Sequence, residues 1–434
     1  VPGHDTAAHD PGAAHDPGAA HDPGAAHDPG AAHDPAAAHD PGAAAAASRR
    51  ALVAILAATA SILPFGTIYA FSVFLAPMEA MLGIGRADMA FVFSLASITL
   101  TVGMVGAPRL YRRFPPSLLL LASGLLSAGG LLVAARANSL AQLALGYGVL
   151  FGLGGGVVFT TLQQGMNQAV VSRTGLANGY FVSLYPLGAM IGAPLLGWAI
   201  GAQGLRTTLT GLAVTIGLAT AVAALLYRGA GLRMHAAGAA AADDDARRWD
   251  IFARLFAVFF LAAAAGLTVM SQAAGILKAY GAGTAMALGA TSFITGAIAA
   301  ARLSGGWLVD RFSAPRVGAG AHLLALGGSL LLLAWPSPSM AIVGLTMIGC
   351  GYGVVSGMTA GAIAQYWHRN AFGRVAGQIY IAWCLAAITL PMVAGWLFDR
   401  SQGYHGAMML GAAVNVAGVA MSLTLPGRAA RRAG

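Results

Sequence analysis

Gly306-Trp307-Leu308-Val309-Asp310-Arg311-Phe312 shares its leucine, arginine and phenylalanine positions with Pro108-Arg109-Leu110-Tyr111-Arg112-Arg113-Phe114, at an offset of 198 residues. Both heptapeptides close a long apolar run. The same offset carries Gly175 and Gly179 onto Gly373 and Gly377 and Trp198 onto Trp396, and Pro194 recurs one residue out of register as Pro391. The chain is therefore read as two halves of parallel topology, related by a pseudo-twofold axis.

What lies between these markers is apolar. Of 434 residues 57% are hydrophobic and only 9% charged, more apolar surface than a water-soluble domain can hide. A bilayer core of about 30 Å needs roughly 20 apolar residues per helix. Such runs fall near 51–76, 88–108, 116–136, 139–162, 176–200, 206–227, 252–277, 284–308, 315–335, 339–364, 374–398 and 405–425. They are continuous rather than alternating, which predicts helices and excludes a β-barrel. The predicted fold is an all-α membrane protein of twelve transmembrane helices in two pseudo-symmetric six-helix bundles. The first run, long and followed at once by others, is expected to be retained rather than cleaved as a signal.

The basic residues sort by side. Arg49, Arg50, Arg109, Arg112, Arg113, Arg173, Arg228, Arg233, Arg247, Arg248, Arg254, Arg311, Arg316, Arg369, Arg374, Arg428, Arg431 and Arg432 gather at one set of loops, helix ends and tails; Arg86, Arg136, Arg206, Lys278 and Arg400 fall at the other. Basic loops stay in the cytoplasm, so both termini are expected there, in a multi-pass inner (plasma) membrane protein. The net charge of +9 is thereby read as topology and not as a nucleic-acid footprint.

Residues 1–48 repeat His-Asp-Pro-Gly-Ala-Ala and offer no large apolar side chain beyond Val1, which predicts a disordered tail. Residues 49–228 form the first bundle, 229–250 a polar cytoplasmic linker containing Asp243, Asp244, Asp245, Arg247 and Arg248, 251–425 the second bundle, and 426–434 a basic tail. Cys350 and Cys384 lie within apolar runs and read as small packing residues. Gly152-Leu153-Gly154-Gly155-Gly156 also lies inside a run, as packing glycine and not a phosphate cradle. No nucleophile arrangement, metal motif or cofactor fingerprint stands out, so no enzyme activity, metal or cofactor is expected.

Arg302 is the single basic residue inside a span. It lies eight residues before Asp310 and hence roughly 12 Å inside the helix end. A guanidinium at that depth is costly unless it meets an anion or water. Apart from the tail and the Asp243–Asp245 stretch the acids are Glu79, Asp88, Asp250, Asp310 and Asp399, all near helix ends or in loops. A substrate carboxylate is the anion that a planar fork of donors fits; hydrogen bonding to carbonyls is the structural alternative. Tyr69, Gln163, Gln164, Asn167, Tyr180, Tyr185, Ser271, Gln272 and Tyr352 are further lining candidates, each equally able to tie helix to helix. Lys278 reads as an interfacial lysine and His322 as a satisfied interior histidine.

Three stretches carry a family resemblance over residues 51–425: Gly66-Thr67-Ile68-Tyr69-Ala70-Phe71-Ser72-Val73-Phe74, Arg173-Thr174-Gly175-Leu176-Ala177-Asn178-Gly179, and Arg302-Leu303-Ser304-Gly305-Gly306-Trp307-Leu308-Val309-Asp310-Arg311. In this order and spacing the chain resembles the major facilitator superfamily, and within it the oxalate:formate antiporter family, with monocarboxylate transporters more distant. The resemblance implies alternating access, with Arg302 binding anion and Tyr69 and Tyr380 nearby. It implies a gating role for Asp310 and Arg311, and for Arg113 in the first half, where Arg112 stands at the place of the aspartate.

The oxalate transporter pattern has a lysine after Ile-Tyr-x-Ala, where this chain reads Ile379-Tyr380-Ile381-Ala382-Trp383. One cation and an aromatic wall suit a monocarboxylate better than a dianion. Monocarboxylate transporters carry an aspartate one turn before the arginine, where Ile298 stands, so anion exchange and proton symport both stay open. The expected function is secondary transport of small organic anions, by a monomer, with Arg302, Tyr69, Tyr352, Tyr380, Trp383 and Gln272 binding substrate. A drug or metabolite exporter and a non-transporting sensor on the same fold are the alternatives.

Overall fold

The computed structural model describes residues 41–234, 248–401 and 403–427. The repeats before residue 41, the acidic stretch Asp243–Asp245 with Arg247, and the tail after residue 427 lie outside the described residues. Val1–Ala45 and Ala46–Gly434 are separate units, and the account below concerns the second, together with the first residues of the helix that leads into it.

Among the described residues the secondary structure is helical, without strands, and 12 helices are long and apolar enough to cross a membrane. In the first half these are α1 (Ala44–Ala70), α2 (Ala87–Leu110), α3 (Pro116–Ala135), α4 (Leu140–Ala169), α5 (Thr174–Gln203) and α6 (Leu205–Gly229). In the second they are α7 (Trp249–Ala279), α8 (Ala285–Arg311), α9 (Ala314–Ala334), α10 (Pro338–Tyr366), α11 (Phe372–Phe398) and α12 (His405–Leu423).

The duplication read from the sequence is visible in the packing. α2 lies on α4 and α3 on α6; six helices later, α8 lies on α10 and α9 on α12. The bundles meet through α5 against α8 and α2 against α11, again a symmetric pair. Glycine sets the closest approaches. A Cβ at Gly156 would lie 1.9 Å from the Leu100 carbonyl oxygen, and one at Gly357 would lie 1.9 Å from that of Arg302. No larger residue fits either crossing without moving a backbone, and the glycine run of α4 is packing surface as expected.

The first span departs from its expected limits of 51–76. Its α-helix starts at Pro41, because the alanine run before Ser48 is a strong helix former. It ends at Phe65, and Gly66–Ala70 tightens into a 3₁₀ turn before a short helix at Ser72–Leu82. Pro64 precedes the break, and a proline ring inside a helix removes one backbone bond and crowds the preceding turn. The break places Tyr69 on irregular backbone facing the second bundle.

Candidate substrate site between the bundles

Arg302 is buried, at 3% exposure, where α5, α8 and α10 meet. Its Nη1 donates to the carbonyl oxygen of Val182 on α5 at 2.9 Å, and its Nη2 to the hydroxyl of Tyr352 on α10 at 2.9 Å. The guanidinium carbon lies 5.2 Å from the Tyr352 ring centroid and 5.7 Å from that of Tyr69. At these distances the ring quadrupoles attract the cation. Its Nε is buried without a hydrogen-bond partner. Among the described residues it has no carboxylate partner.

Aromatic side chains from both bundles complete the walls. Tyr69 lies 6.0 Å from Trp383 and 5.6 Å, edge-on, from Tyr185, measured between ring centroids. Tyr380 stands edge-on to Phe159 and Phe259, and its hydroxyl accepts from Gln163 Nε2 at 3.1 Å. These groups and Arg302 line one cavity of about 30 Å³. That volume holds a water or two but no organic anion, so the structure is a closed state. The Tyr185 hydroxyl and Trp383 Nε1 are, like Arg302 Nε, buried without partners. Two of these three orphan groups, Arg302 Nε and Trp383 Nε1, can only donate.

The basic ends of the helices are tied across the bundles. Asp310, at the end of α8, accepts from the backbone N–H groups of Gly175 at 2.9 Å and Leu176 at 2.8 Å, the first turn of α5. A carboxylate there satisfies orphan donors and meets the positive end of the helix dipole. At the pseudo-symmetric place, Arg112 cannot do this. The Gly373 N–H of α11 donates instead to Gln164 Oε1 on α4 at 2.7 Å, and Gln164 Nε2 donates to Arg369 O at 3.1 Å. One tie is anionic and the other neutral. A buried amide ladder, Gln163 and Asn167 to Asn178, joins the Tyr380 hydroxyl to the start of α5, where Asn178 also donates to Thr174 O.

Arg302, Tyr69, Tyr352, Tyr380 and Trp383 are thus brought together, with Tyr185. Gln272 is not: its Oε1 accepts from the Tyr404 hydroxyl at 3.2 Å, away from the cavity. Tyr180 pairs with Thr59 Oγ1 at 2.7 Å and Ser271 with the carbonyl of Thr268. Arg311 stacks on Trp307, 4.5 Å from its ring centroid, and Arg113 is exposed just past the end of α2. His322 meets Asn415 Oδ1 at 2.9 Å inside the second bundle. Phe159, Phe259 and the Val182 carbonyl escaped sequence reasoning, since apolar residues and backbone groups carry no chemical signature there.

A family model described as Major Facilitator Superfamily matches residues 55–391. The chain belongs to the major facilitator superfamily. Relatives include monocarboxylate transporter 13 of Bos taurus, 25% identical over 382 residues that cover 84% of this chain and 87% of that one. An uncharacterized MFS-type transporter, YhjX of Escherichia coli (strain K12), is 30% identical over 125 residues, covering 29% of this chain and 31% of that one. Among solved structures, the proton:xylose symporter XylE aligns with a TM-score of 0.66 at 14% identity, covering 88% of this chain and 97% of that one. The human organic anion transporter MFSD10 aligns at 0.63 and 16% identity, covering 87% and 99%. This superfamily chain is a multi-pass membrane transporter of a small substrate, and not an enzyme.

Proposed function

We propose that this chain is a secondary active transporter of small organic anions, with monocarboxylates as the substrate class, working by alternating access. The observation that carries the reading is the buried Arg302 guanidinium, which lines a largely aromatic cavity, keeps its Nε without a hydrogen-bond partner and has no carboxylate partner among the described residues. A buried cation of this kind is strongly destabilising unless an anion neutralises it. A substrate carboxylate supplies that anion, while the rings of Tyr69, Tyr185, Phe159 and Trp383 accommodate an apolar body. The absence of a second cation in the cavity lining favours one negative charge over two. The similarity to monocarboxylate transporter 13 supports the same class. In this reading the arginine-rich face is cytoplasmic, and Asp310 and Gln164 hold that face shut while the carrier opens to the other side, where substrate meets Arg302.

The test is counterflow in proteoliposomes against a panel of labelled carboxylates, with Arg302→Ala and Arg302→Lys beside wild type. Loss of flux of about a hundredfold is expected for Arg302→Ala, the order of one buried charge-assisted pair. Arg302→Lys retains charge without the planar fork and should recover only part of the flux. A carboxylate moved equally well by Arg302→Ala would overturn the proposal.

A further inference from the structure

The bond from Arg302 to Val182 crosses between bundles, and its acceptor is a helix carbonyl that ordinarily has its own partner. In an α-helix the oxygen of residue 182 accepts from the N–H of residue 186. Residue 186 is a proline, inside α5, and proline has no N–H. The Val182 carbonyl is left without its helical donor, buried and directed at the guanidinium. Pro108 inside α2 likewise frees a carbonyl, but there the oxygen of Met104 accepts from Thr160 Oγ1 of the same bundle at 3.3 Å.

Resting on the reading of Arg302 as the anion-binding group, we propose that Pro186 is a positioning residue: by withholding an N–H from the Val182 carbonyl, it makes that carbonyl the acceptor that holds Arg302 in the empty closed carrier and that a substrate carboxylate must displace. The carbonyl then stands in for the anion between transport cycles. It lowers the cost of closing the carrier empty, and it competes with substrate for Nη1. Binding energy is spent on releasing one tie between the bundles, which couples occupancy to opening.

The experiment uses the full chain in nanodiscs and proteoliposomes, with Cys350→Ala, Cys384→Ala and Ser356→Cys installed to report opening. Ser356 lines the cavity and is 4% exposed. Pro186→Ala supplies the missing N–H. Pro194→Ala removes a second proline from the same helix without touching Arg302 and controls for straightening. Without ligand, Pro186→Ala should raise maleimide labelling of residue 356 roughly tenfold, the equivalent of one charge-assisted hydrogen bond.

With lactate and benzoate as probes, Pro186→Ala should lower the half-saturating concentration, slow net efflux and leave exchange near wild type. A mere packing defect would not tighten binding. Labelling and half-saturation for Pro186→Ala equal to those for Pro194→Ala would overturn the inference. Unimpaired lactate or benzoate flux in Arg302→Ala would instead overturn the anion reading beneath it.

Discussion

Replacing Asp310 by asparagine should unlatch the basic face of the carrier. In the closed structure the two carboxylate oxygens accept from Gly175 and Leu176 at 2.9 and 2.8 Å. Hydrogen bonds to a charged group contribute about 1.5–3 kcal/mol each, against about 1 for a neutral bond. Asparagine keeps one accepting oxygen and gives up the charge at the N-terminus of α5, itself an effect of about 0.3–1 kcal/mol. Asp310 is half-buried, so solvent screening trims these figures. A net loss of about 2 kcal/mol from the closed state corresponds to roughly a thirtyfold rise in the open population.

The Ser356→Cys reporter reads this directly. In right-side-out and inverted vesicles, labelling by a membrane-impermeant maleimide from the arginine-rich side should rise roughly thirtyfold in Asp310→Asn, with little change from the opposite side. Arg311→Ala is the control, because that guanidinium stacks on exposed Trp307 and its loss should change labelling less than about threefold. Equal labelling of Asp310→Asn and wild type would refute the reasoning, and so would an equal effect of Arg311→Ala.

Two further outcomes follow from the same geometry. Gln164→Leu removes the acceptor for Gly373 N–H and the donor to Arg369 O, and should raise labelling from the same side roughly tenfold. That rise should be insensitive to salt, whereas the Asp310 effect shrinks as ionic strength increases. Trp383→Lys places a second cation in the cavity wall and should raise oxalate counterflow while lowering that of monocarboxylates; unchanged oxalate flux would count against the charge argument.

The asymmetry of the ties at the basic helix ends was half legible beforehand. Arg112 at the aspartate position announced that a first-half carboxylate tie is missing, and Asp310 was the remaining candidate. That Gln164 takes over at Gly373 was hidden, because it lies on a different helix from the residue it replaces. Gln272 shows the reverse: a polar residue in an apolar span looked like a site residue, yet Tyr404 of the same bundle satisfies it. Pro186 was visible in the sequence, but only the partner of its freed carbonyl gives it meaning.

The sequence alone determined the twelve spans, their division into related sixes and the singular position of Arg302. Those follow from hydropathy, spacing and charge, which act locally along the chain. Tertiary structure decided what surrounds Arg302: which aromatic faces converge on it, that a backbone carbonyl and a tyrosine hydroxyl occupy two arms of its fork, and that Nε has no partner. Such facts depend on how α5, α8 and α10 cross at glycine contacts. Such crossings bring together residues 50 and 120 positions apart, beyond the reach of any periodicity in the sequence.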